Sequence, residues 1–170
     1  LNVTRYATPA DLARLATDGW DELAQRASRS PQVTGELLRL TFEGGRRDAF
    51  SPEARDEADR ALAVLLDGLE RASRHADTYL APRYQAVMPL SEALIASSDL
   101  PSAIAAIALR RLYGHAAPEE VLRATRWADD YLRDLASGRA SLGQADTATA
   151  AVPGRIHVSA PGKTFDWGTY

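Results

Sequence analysis

Apolar residues recur at Ala58, Leu62, Leu65, Leu69, Ala72, Ala76 and Tyr79. Their spacing alternates between four and three residues, which keeps one stripe on one side of a helix. The stripe has a clear beginning: Ser51 can accept a hydrogen bond from a free backbone N–H, Pro52 suits the first helical position, and Glu53 complements the positive end of the dipole. Its end is read at Ala81-Pro82, because a proline restricts the residue before it and has no N–H to give. The pattern therefore predicts a long helix over residues 52–80, with Gly68 as a point where it can bend. Full burial of Leu62, Leu65 and Leu69 would contribute roughly 1.5 to 3 kcal/mol each, so packing rather than propensity is expected to hold it.

Shorter amphipathic runs surround this helix. Thr8-Pro9-Ala10-Asp11 reads as a capped start, with Leu12 and Leu15 facing inward until Asp18-Gly19. Trp20, Leu23, Ala24 and Ala27 follow at helical spacing, with Trp20 as a core anchor. Residues 35–40 form a further helix stopped by Gly44-Gly45, and Arg46-Arg47-Asp48 makes a charged loop before Ser51. Beyond Pro82, residues 92–96 have room for one short helix. Ile104, Ile107, Ala108 and Leu112 then line another, buried nearly all round, that ends where Gly114 can adopt a left-handed cap. Pro118-Glu119-Glu120 opens the last helix, whose inward residues are Val121, Leu122, Ala128, Leu132 and Leu135, whose Trp127 and Tyr131 pair one turn apart, and whose stop is Gly138. The expected body is an all-α bundle built around one long helix.

The pattern changes near Ser141. Residues 144–151 are small and threonine-rich, residues 155–159 alternate like a short strand, and three of the twelve aromatics stand in the last six positions. The chain thus divides into a helical body, 1–143, and a linker with an extended C-terminal arm, 144–170. Arg155, Ile156, Val158, Phe165, Trp167 and Tyr170 are the candidate partner-binding residues: an arm that adds a strand to a neighbour and seats its aromatics in pockets.

Composition narrows the classes of function. A net charge of −3 with 25% charged residues gives no cationic field for DNA or an anionic membrane, and with no cysteine there are no disulfides, thiolate metal sites or cysteine nucleophiles. The apolar runs fall short of the ~20 residues that span a bilayer, so a soluble protein without membrane contact is expected. His75, His115 and His157 lack ligand spacing, and the adjacent acids Asp56-Glu57 and Asp129-Asp130 point apart on a helix. Pro161-Gly162-Lys163-Thr164 imitates the end of a phosphate loop, yet His157 stands where its first glycine belongs. No cofactor, metal or catalytic set is expected. Arg46-Arg47 and Arg110-Arg111 remain as phosphate contacts for an alternative reading, a helical DNA-binding or packaging-regulatory module.

An ordered set of landmarks covers most of residues 6–143: YATPADL at 6–12, ADTYLAPRY at 76–84, PL at 89–90, RLYG at 111–114, PEEV at 118–121 and LRDLASGRASLG at 132–143. In this order they resemble the small helical head-completion proteins of Mu-like bacteriophages, which are similar in organisation to head-to-tail adaptors, or connectors. The resemblance implies a structural, non-enzymatic virion protein of the neck, made in the host cytoplasm. It implies a homo-oligomeric ring, of twelve copies by analogy, that binds the portal protein and a downstream neck or tail protein and passes DNA without reading its sequence. The stretch 18–50 is longer than the resemblance leads one to expect.

Overall fold

The long helix predicted from the apolar stripe forms and extends past its expected stop. In the computed structural model, which describes residues 6–143 and Asp146, the helix covers Pro52–Tyr84, 33 residues and about 50 Å. It is the fourth helix and is called α4. The Ser51 side chain accepts from Ala54 N at 3.2 Å, as its position at the start of the stripe requires. The stripe keeps its expected phase, with Ala58, Leu65, Leu69, Ala72 and Ala76 all buried, and departs from expectation only at Leu62 and Tyr79. Ala54, Ala58, Ala61, Leu65, Leu69, Ala72, Ser73, Ala76, Leu80 and Tyr84 are buried, whereas Leu62 and Tyr79 are only half-buried at the edge. Leu62 therefore delivers less than full burial energy, and alanines fill much of the seam. The helix is uninterrupted at Gly68.

Pro82 does not end α4. Its ring is on the exposed side, and the residues after it are held from outside the helix: Arg83 donates to the Ala140 carbonyl at 2.6 Å and Tyr84 is fully buried. Those tertiary bonds outweigh one missing backbone hydrogen bond.

Six other α-helices complete the described residues: α1 Pro9–Leu15, α2 Gly19–Ala27, α3 Gly35–Glu43, α5 Glu92–Ala96, α6 Leu100–Tyr113 and α7 Glu119–Ser137. Short 3-10 turns follow α4 and α6, and no strand occurs among the described residues. The fold is all-α. Helices α2 and α3 pair with each other and close on α4, and α6 and α7 do the same, with α1 laid across α6. The long stretch 18–50 is thus a second helical pair.

Local signals worked where side chain and backbone meet directly. Thr8 and Asp11 form a reciprocal capping box, with Thr8 N donating to Asp11 Oδ2 at 2.8 Å. Thr34 and Ser91 cap α3 and α5 one way only, their side chains accepting from Leu37 N and Leu94 N. Gly138 ends α7 in the left-handed region, as expected. Gly114 departs from expectation: its φ of 61° is positive, but a ψ of −139° takes it outside the left-handed helical region and turns the chain into the 3-10 segment Gly114–Ala116.

Helix α6 is the centre of the core. Every residue from 103 to 109 is buried, between α1, α4 and α7. Around it some expected inward residues turn out. Leu15 is 42% exposed because α1 spends its apolar contact on Pro9 and Leu12. In α7 the buried seam is Thr125, Ala128, Leu132 and Leu135; Val121 is half-buried and Leu122 is exposed. Trp20 is a half-buried wall residue, tilted against Phe42 with ring centroids 5.6 Å apart.

Candidate interaction surfaces

The six arm residues, Arg155, Ile156, Val158, Phe165, Trp167 and Tyr170, lie outside the described residues, and so does the alternating stretch 155–159. The described structure does show how the chain leaving the body is fastened. Asp146 accepts from the Tyr84 hydroxyl at 2.6 Å and from Leu142 N at 3.0 Å, and its carboxylate is 3.5 Å from the Arg83 guanidinium. Both charged side chains are almost fully buried, and Leu142 is fully so. Burial and the Asp146 hydrogen bond together push the Tyr84 hydroxyl well above the ordinary tyrosine range, so it stays a donor. Sequence patterning missed this anchor because its members meet only after α4 and α7 pack.

At the other end of the chain, Tyr6 is buried, its N–H donates to Ser73 Oγ at 3.2 Å, and its hydroxyl donates to Asp77. Desolvation raises the Asp77 carboxyl, opposed by that hydrogen bond. Glu22 of α2 is buried and takes the Tyr113 hydroxyl, which ties α2 to the end of α6. These are structural clasps between elements.

The paired arginines proposed as phosphate contacts fare unequally. Arg110 makes a two-pronged bond to Asp129 of α7, at 2.7 and 3.2 Å. Arg47 reaches Asp59 at 2.6 Å and Arg46 stands 3.9 Å from Asp48. Arg111 makes no ion pair among the described residues. Desolvation and the adjacent Arg110 charge, with a smaller push from Arg71, lower its affinity for a proton, while Asp129 opposes them. His75 is likewise lowered, by burial first and then by Arg111, and packs edge-on against Tyr79 with centroids 5.3 Å apart. His115 is exposed and His157 lies outside the described residues. No group of three or more potential ligands is placed to hold a metal ion among the described residues. Among the same residues, no helix is long and apolar enough to cross a membrane.

Two apolar hollows open on the surface. One, of ≈190 Å³, lies between α1, α2, α6 and α7; Leu15 and Trp127 rim it, and Glu22 and Glu120 are its ionisable residues. Trp127 is 40% exposed and pairs with Tyr131 at 6.4 Å, as the sequence spacing implied. The other is a groove between α4 and α6 lined by Val64, Gly68, Arg71, Ala108, Arg111 and Leu112, with Asp67 beside Arg71. Both present apolar side chains that the other described residues do not cover.

What the described residues define is an all-helical body with apolar hollows open on its surface. Residues 6–159 match the model of the family described as Bacteriophage Mu, Gp36, and the chain belongs to that family. It is a bacteriophage structural or morphogenesis protein, associated with the virion. Neither a curated protein nor a solved structure matches it.

Proposed function

We propose that this protein works as a head-completion adaptor, a homo-oligomeric ring, twelvefold by the analogy, between the portal and the tail of a Mu-like phage. It acts by shape and catalyses no reaction. The family match over residues 6–159 is the observation that carries this reading. The bundle supports it with two uncovered apolar hollows on different faces. A ring closes through a heterologous contact, which needs two unlike patches on each subunit. The portal and the next neck or tail protein dock on the ring's two ends, with the C-terminal arm as a further contact, and DNA passes without sequence-specific binding.

The alternative of a DNA-binding or packaging-regulatory module finds only Arg111, of its four arginines, without an ion pair among the described residues. Arg46, Arg47 and Arg110 face carboxylates, and a net charge of −3 offers no basic stripe. Imaging of virions and of the purified protein, together with mass measurement, tests the proposal. A symmetric collar at the head-tail junction is expected. A monomer both in solution and in the particle overturns it, as does DNA affinity that falls steeply with salt.

A further inference from the structure

The groove between α4 and α6 poses a question that the subunit does not answer. Gly68 stands in the middle of the 33-residue α4, where glycine weakens a helix relative to alanine. A Cβ built there meets nothing within 4 Å, so packing inside the subunit does not demand the missing side chain. Bare backbone at that point leaves space for something to come close. The surroundings are apolar along the groove, with Val64 45% exposed on one wall and Ala108 and Leu112 on the other. They are cationic at one place: Arg71 pairs with Asp67 and Arg110 with Asp129, while Arg111 makes no ion pair of its own among the described residues and feels Asp129 only at a distance. A matching occupant presents an aromatic ring to the glycine and a carboxylate to Arg111.

The chain carries such a segment in Phe165-Asp166-Trp167, an acid between two large rings. We infer that this segment of a second copy seats in the α4/α6 groove, with its rings over Gly68, Val64 and Leu112 and Asp166 paired with Arg111. The inference rests on the ring reading above and names the contact that closes the ring. The arm and the groove are unlike patches, which is what head-to-tail closure requires. At ~3.3 Å per residue, the chain from the anchored Asp146 to Phe165 reaches up to about 60 Å, enough to cross to a neighbour. The hollow at Leu15 and Trp127 is a poorer seat, because its ionisable lining residues, Glu22 and Glu120, are both acids, whereas the α4/α6 groove sets Arg71 and Arg111 against the single acid Asp67.

The chain has no cysteine, so introduced thiols report without background. Full-length Val64→Cys and full-length Thr164→Cys, mixed and oxidised, are expected to give disulfide-linked pairs on a non-reducing gel. In the doubly substituted chain the same bond is expected to give a ladder. Arg111→Glu in the Val64→Cys chain should lower the yield at least about tenfold, and Asp166→Arg in the other chain should restore it. A doubly substituted chain that cross-links only within itself overturns the choice of a second copy. Absence of any cross-link, with helical circular dichroism intact, overturns the groove. Mass measurement on the same samples separates the two levels: a ring without cross-links removes this contact alone, and monomers throughout remove the ring reading with it.

Discussion

Helices α6 and α7 follow one another in the chain and pack side by side, yet they answer to different rules. Helix α6 shows buried residues at every position from 103 to 109, because α1, α4 and α7 leave it no solvent face. Helix α7 buries one seam and leaves Leu122 and Trp127 exposed. An apolar residue in α6 is accounted for by the subunit. On the outer side of α7, or along α4 at Val64, it is not, and the proposed ring contacts are where such residues would find neighbours.

This contrast can be broken by substitution. Ile104→Ala removes a fully buried side chain from the centre of α6 and should cost about 2–5 kcal/mol in urea unfolding; a loss below 1 kcal/mol, on the order of a surface change, would put α6 outside the core. Gly114→Ala forces a side chain onto a positive φ at the joint between the two helices and should cost about 1–3 kcal/mol by the same measurement. Asp129→Ala leaves Arg110 without its partner across the α6–α7 seam, half-buried on both sides, and should cost about 1 kcal/mol. Trp127→Ala should change stability by no more than about 0.5 kcal/mol while weakening any contact that uses the α7 face, as read by unfolding and by particle assembly in parallel. A large loss of stability from Trp127→Ala would move α7 to the same footing as α6.

Legibility in the sequence followed the range of the interactions. Caps at Thr8 and Ser51 were readable because donor and acceptor lie three residues apart, and the continuous apolar run of α6 announced its own burial. Periodicity placed α4 and its buried face correctly at Ala58, Leu65, Leu69, Ala72 and Ala76, and erred only at the edges, where Leu62 advertises more apolar area than Ala61 although Ala61 fits the seam, and where Leu80 rather than Tyr79 is buried. The stop at Pro82 failed for a nonlocal reason, the bonds that Arg83 and Tyr84 make with Ala140 and Asp146. Leu15 and Leu122 have the composition of core residues and lack only a neighbour, which no single-chain pattern records. Of the candidate surfaces, Trp127 and Tyr131 were visible as a pair, whereas the opening at Gly68 depends on where α6 lies and has no local signature.

The anchor at Asp146 determines where a mechanical load enters the molecule. Tension applied to the chain beyond it meets a buried charge held by Arg83 and Tyr84 before it reaches Gly138 and the end of α7. The pull is therefore delivered as shear to the far turn of the longest and stiffest helix instead of unzipping the last one residue by residue.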